Sequence, residues 1–138
     1  MTTNESLRNK IREVLQNIKI VDKYQNSTLD EIESDQTLSG AIQHYLYITC
    51  QSAIDLGEMY IEFSNYRVPY TYSDVFDVLF EQKVIDQKLA TTLRNMAGFR
   101  NILAHQYGKV DFGIIHEVLT KKITFIEKFV LIIEERIS

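Results

Sequence analysis

Apolar residues recur through this chain at intervals of three and four, and very little interrupts them. Leu7, Ile11, Val14, Leu15, Ile18 and Val21 fall at i, i+4, i+7, i+8, i+11 and i+14, the spacing that gathers side chains on one face of a 3.6-residue repeat. A wider apolar arc runs from Ala41 through Leu46 and Ile54 to Tyr60, and a third stripe runs from Ile114 through Leu119, Ile126 and Phe129 to Ile133. Only one proline and five glycines occur in 138 residues, so few positions can break a long helix. The expectation is an all-α fold: an up-and-down four-helix bundle with an additional short helix.

Local signals set the boundaries. Thr3 or Asn4 can cap a first helix reaching to about Tyr24, and Asn26-Ser27-Thr28 reads as a loop. Thr28 with Glu31 resembles a capping box at the start of a further apolar stripe. The longest helix is expected from about Asp35 to Phe63. Asn65-Tyr66-Arg67-Val68-Pro69 is a turn, because proline pushes its predecessor out of the helical region. A short helix follows from Tyr72 or Ser73, with Asp74 in its first turn and Val75, Phe76, Leu79 and Phe80 on its apolar side. Lys83-Val84-Ile85 breaks that pattern. Asp86 caps a helix carrying Leu89, Leu93, Met96, Phe99, Ile102 and Leu103, which Gly108 is placed to stop. Asp111 can cap the last helix. Its stripe holds more apolar surface than one bundle seam needs, so part of it is expected to bury against a partner chain.

The length suits one domain spanning residues 1–138, large enough to bury roughly two thirds of its unfolded surface. No run of about 18 apolar residues exists to span a membrane, and Met1-Thr2-Thr3-Asn4-Glu5-Ser6 lacks the basic and apolar regions of a signal peptide. The single cysteine, Cys50, excludes an internal disulfide and fits a reducing, cytoplasmic setting. It sits in an apolar run, as a small core residue does. Three widely spaced histidines and that cysteine give no metal-ligand pattern. Fifteen basic against 19 acidic residues leave a net charge of −4, which argues against broad nucleic-acid coating but not against a small local basic site.

One stretch carries chemistry: Phe99-Arg100-Asn101-Ile102-Leu103-Ala104-His105-Gln106-Tyr107-Gly108. Five helical steps put Arg100 and His105 about 140° apart around the axis and about 7.5 Å apart along it. They do not share a face, whereas Asn101 and His105 do. Arg100 must reach round with its long stem, or meet His105 in a cleft made with another element or another copy of the chain. Arginine stays charged and grips phosphate through its fork; histidine gives or takes a proton near neutrality, and a helix C-terminus favours its proton-donating form. This set suits phosphodiester chemistry without a metal: the guanidinium stabilises charge on phosphate while the imidazole protonates a leaving oxygen or activates a hydroxyl. The plainer reading is a surface ion pair for Arg100 and a helix cap for His105.

The phrase FRNILAHQY, with Arg100-x4-His105-x-Tyr107 late in a small helical chain, resembles the motif of the HEPN superfamily. More narrowly it resembles the HepT branch, the toxins of HEPN/MNT (type VII) toxin–antitoxin systems. The likeness extends over nearly the whole chain. It implies a homodimer whose two motifs face each other across a cleft, and a metal-independent endoribonuclease without a cofactor, acting on an RNA substrate. It implies that Arg100 and His105 are catalytic and Asn101 their polar neighbour. It also implies that Tyr107 is AMPylated by the cognate MNT nucleotidyltransferase antitoxin, which silences the toxin.

Other polar and aromatic residues invite a role beside this motif. Asp55, amid Ala53, Ile54 and Leu56, is either an exposed acid or a supporting partner that orients Arg100. His44 and Gln51 are read as solvated or satisfied locally. Tyr60, Tyr66, Tyr70 and Tyr72 form either a packing rim or a surface on which bases stack. Two further readings remain beside the nuclease: a catalytically silent module that docks a nucleotidyltransferase, and a structural helical protein with an accidental motif.

Overall fold

The structure is a computed structural model that describes residues 1–105 and 110–138; Tyr107 and Gly108 lie outside the described residues. Its helices are α1 (Asn4–Asp22), α2 (Leu29–Ser34), α3 (Gln36–Phe63), α4 (Tyr72–Glu81), α5 (Gln87–His105), α6 (Phe112–Glu117) and α7 (Ile123–Ile137), with a π-helical segment, Val118–Lys122, joining the last two. The fold is all-α, and α1, α3, α5 and α7 form the bundle. Around it the short helices number three among the described residues, α2 and α6 joining the expected α4.

Helix α3 is the hub, packing on α1, α2, α4, α5 and α7. Cross-links set the directions. Thr2 Oγ1 donates to Glu62 at 3.0 Å and Asn17 Nδ2 to Ser52 Oγ at 3.0 Å, so α1 runs against α3. Asn4 Nδ2 donates to the Ile137 carbonyl at 3.0 Å, so α1 also runs against α7. Helices α3 and α7 are therefore parallel, as up-and-down order requires. The core they enclose includes Leu7, Ile42, Leu46, Leu56, Leu93 and Ile133, and Phe76 meets Phe129 edge-on at 5.6 Å. Cys50 belongs to this core; burial pushes its thiol up to about 12 against the opposing pull of the Arg100 charge, so it has no nucleophilic form near neutrality. Among the described residues, no helix is long and apolar enough to cross a membrane.

The caps explain where the helices begin and end. Thr3 with Ser6 and Thr28 with Glu31 form reciprocal capping boxes, while Asp35, Thr71, Asp86 and Asp111 each accept backbone N–H bonds at a helix start. Two C-terminal ends turn through left-handed residues that are not glycine. Asn65 has φ 57° and Lys83 φ 60°, and the next N–H groups reach back to Ile61 and Leu79 at 3.0 and 2.9 Å, the six-to-one bond of a Schellman ending.

The last apolar stripe is not one continuous α-helix. No glycine or proline marks the break. Thr120 Oγ1 donates to the His116 carbonyl at 2.7 Å, drawing that acceptor from the regular ladder. Through the π turn Ile115, Leu119 and Ile123 stay buried at successive steps of four. Phe112, Ile114 and Leu131 remain exposed.

Gly57 sits where α3, α4 and α7 cross. A Cβ there would meet Val75 Cγ1 at 2.7 Å and Leu79 and Phe129 at 3.6 Å. Gly57→Val is expected to lose about 2 kcal/mol by overpacking. Gly40→Ala, with nothing within 4 Å, is expected to gain up to about 1 kcal/mol of helix propensity. Denaturant unfolding of the two variants checks the contrast; equal stabilities would contradict the close crossing.

Candidate functional site

Leu93, Met96 and Phe99 turn one face of α5 into the core. The residue after Phe99 is rotated about 100° from it and emerges at the boundary with α3. There Arg100 is gripped. Its Nε donates to Gln51 Oε1 at 2.6 Å, its Nη1 to Asn101 Oδ1 at 3.0 Å, and its Nη2 to the Tyr47 hydroxyl at 3.0 Å. The guanidinium carbon also lies 5.0 Å from the ring centroids of both Tyr47 and Tyr72, within cation–π range. A guanidinium has five N–H groups. Three are engaged among the described residues, which leaves one on each terminal nitrogen. Those two form the fork that grips a phosphate or carboxylate oxygen pair.

The stripe Tyr47, Gln51 and Asp55 follows i, i+4, i+8 along α3, which puts all three on one face. Gln51 accepts from Arg100 and donates Nε2 to Asp55 Oδ1 at 2.9 Å. Asp55 Oδ2 is 3.8 Å from Lys10 Nζ, whose nearer partner is Glu13 at 2.7 Å. Asp55 thus does not pair with Arg100 directly, because Gln51, one turn earlier, occupies the space between them. The carboxylate acts on the amide, drawing its NH2 outward and turning its oxygen to the guanidinium. Gln51 is a site residue that sequence reasoning placed among locally satisfied side chains. Its position one turn from both Tyr47 and Asp55 was the available signal.

Asn101 lies against Arg100, as expected of a polar neighbour. His105 is the exposed last described residue of α5. The helix is unbroken from Gln87 to His105, so the five-residue step holds and the two side chains leave α5 in different directions. His44, read as solvated or satisfied locally, is exposed; it packs edge-on against Tyr45 at 5.2 Å and borders a cleft of about 400 Å³ with Gly40, Gln43, Tyr47, Leu103 and Ala104. That cleft adjoins the last turn of α5 and shares Tyr47 with the arginine cage.

The tyrosines divide. Tyr60 is buried, its hydroxyl accepting from Arg136 Nε at 2.8 Å and its ring meeting Tyr66 edge-on. Tyr70 is 90% exposed and Tyr72 36%, so the packing account holds for the first pair only.

Comparison with known proteins bears on this arrangement. The ribonuclease HepT-like family model matches residues 14–133. The mRNA nuclease HepT of Shewanella oneidensis is 25% identical over 131 residues, covering 95% of this chain and 98% of that one. The tRNA nuclease HepT of Aphanizomenon flos-aquae is 26% identical over 89 residues, covering 64% and 60%. A rebuilt structure of the tri-AMPylated Shewanella oneidensis HEPN toxin in complex with its MNT antitoxin superposes with a TM-score of 0.84 at 25% identity, covering 94% of this chain and 96% of that one. The match takes in both the bundle and the arginine-bearing helix, and the chain belongs to the ribonuclease HepT-like family.

Proposed function

We propose that this chain is the toxin of a HEPN/MNT toxin–antitoxin pair, an endoribonuclease that cuts RNA without a metal at a site shared by two copies. The observation that carries the reading is the held guanidinium: Arg100 is braced on three N–H groups, and its other two have no partner among the described residues. Such a pre-aimed fork stabilises charge on a phosphate oxygen with little reorganisation. The RNA 2′-hydroxyl attacks the adjacent phosphorus and the bond to the 5′-oxygen breaks, leaving a 2′,3′-cyclic phosphate and a 5′-hydroxyl. One proton leaves the 2′-oxygen and one arrives at the 5′-oxygen, and His105 serves this exchange. Since Arg100 and His105 diverge on one helix, a homodimer that brings two copies of α5 together supplies what a single chain does not. Exposed Ile114, Phe112 and Leu131 are available to that contact.

Tyr107 is the regulatory position in this reading. AMPylation of its phenol by the cognate nucleotidyltransferase adds bulk and negative charge, excluding RNA by sterics and repulsion. Co-expression with that enzyme is expected to raise the intact mass of the chain by one or more adenylate units and to leave Tyr107→Phe unchanged. A full mass gain on Tyr107→Phe would overturn the assignment.

Induction of the wild-type chain without its antitoxin is expected to arrest growth in the cytoplasm of its host, and His105→Ala to relieve the arrest. A fully toxic His105→Ala chain would sink the nuclease reading. The net charge of −4 favours a second reading, a silent module that docks a nucleotidyltransferase, for which no variant would alter RNA.

A further inference from the structure

Between α3 and α4 the chain presents an aromatic shelf that the nuclease chemistry does not use. The loop is stiff. Arg67 grips Asp74 through both terminal nitrogens at 2.8 and 2.9 Å and Glu81 at 2.9 and 2.8 Å, and Asp74 also accepts from the Tyr70 backbone N–H at 2.9 Å. Pro69 fixes one more dihedral. This bracing holds Tyr70 90% exposed, with the Arg67 guanidinium carbon 5.9 Å from its ring centroid, so most of the ring remains open to a stacking partner. Tyr70, Thr71 and Tyr72 line a cleft of about 330 Å³ with Pro69 and Glu58. Tyr72 borders both this cleft and the Arg100 guanidinium. Glu58 has no ion-pair or hydrogen-bond partner among the described residues, and partial burial, then the like charge of Asp55, raises its carboxyl above the ordinary range.

We propose that this cleft is a nucleobase subsite of the RNA substrate. It stacks the base next to the phosphate held by Arg100 on Tyr70 and Tyr72, and Glu58 favours guanine there. The inference rests on the nuclease reading above and adds a specificity element to it. Stacking is sequence-tolerant, because every base has a π-face, so the choice falls to Glu58. A carboxylate only accepts hydrogen bonds. Guanine presents two adjacent N–H donors on its Watson–Crick edge and satisfies both oxygens. Adenine and cytosine offer one amino group each. Uracil sets carbonyl oxygens on either side of its single N–H, against the negative charge. The local acidity at Glu58 and Asp55 turns phosphate away, so the strand enters this cleft base-first with its backbone towards Arg100.

The test uses a short fluorescent RNA whose cut site has been mapped and then blocked by a 2′-deoxy nucleotide. Binding is measured for the wild type, Tyr70→Ala and Glu58→Gln, with an intact or an abasic nucleotide beside the cut. Tyr70→Ala is expected to weaken binding of the intact RNA about 5- to 150-fold, the range for loss of one base stack. Removing the base should weaken the wild type at least as much and cost Tyr70→Ala clearly less, since only Tyr72 and Glu58 remain to be lost. Glu58→Gln should bind all four bases at that position alike. Tyr70→Ala binding as tightly as the wild type would overturn the subsite, as would equal losses from the abasic nucleotide in both proteins. The subsite is equally overturned if Tyr70→Ala keeps its RNA affinity and instead loses the antitoxin. Cleavage and binding are read separately. Base-dependent binding with a cut that His105→Ala leaves unchanged sinks the nuclease reading alone, and a His105-dependent cut with base-independent binding sinks the subsite alone.

Discussion

Replacing Arg100 with alanine is expected to slow RNA cleavage by the purified protein at least about 10²- to 10³-fold, the range for removing one pre-aimed donor to a charged transition state. The loss should fall on kcat more than on KM, because the two remaining N–H groups would meet charge that grows as the phosphorane forms. Arg100→Lys should rescue little, since an ammonium cannot hold Gln51, Asn101 and Tyr47 and still present a fork. Stability should change far less. The site is half-buried, so water can replace the lost donors to Gln51 and Tyr47, and the cost is about 1–2 kcal/mol. Steady-state kinetics beside a thermal melt checks this. An Arg100→Ala protein that is folded and cleaves at the wild-type rate would remove the arginine from the chemistry.

His105→Ala carries the second large effect, an expected loss of about 10²- to 10⁴-fold, the usual worth of a positioned proton carrier. His105 is exposed at the end of α5, so truncation should leave stability within about 0.5 kcal/mol. The pairing of a near-native melt with a collapsed rate separates a chemical role from a capping role. A helix cap would give the reverse: a lower melting temperature and an intact rate. Substrates with better leaving groups should narrow the gap between variant and wild type, because a leaving oxygen that needs no proton makes an acid dispensable.

How much of this was legible in the sequence depends on the range of the interactions. Helix starts were readable because a cap is local: Thr28 and Glu31, or Asp86 and Leu89, are three residues apart. The ends near Phe63 and Lys83 were placed as well, but not the left-handed conformation at Asn65 and Lys83, which leaves little trace in composition without a glycine. The π segment was invisible for a similar reason: no helix breaker stands at Val118–Lys122, and the Thr120 hydroxyl bond to the His116 carbonyl shows only in the folded chain. Within the candidate site, the arginine and histidine are proposed from the motif that the sequence carries. The cage around Arg100 was not, because Tyr47 and Tyr72 come from separate helices 53 and 28 positions away by sequence number. Asp55 stood open between an exposed acid and a direct partner of Arg100, since nothing local distinguishes an acid that touches the guanidinium from one bonded to Gln51.

The most direct measurement incubates the purified wild-type chain with RNA in excess EDTA and analyses the new ends. Cleavage at the rate seen without chelator, with 2′,3′-cyclic phosphate and 5′-hydroxyl termini and none from His105→Ala, is the expected result. Cleavage that stops in EDTA, or that survives His105→Ala unchanged, would contradict a phosphodiester cut by Arg100 and His105 alone.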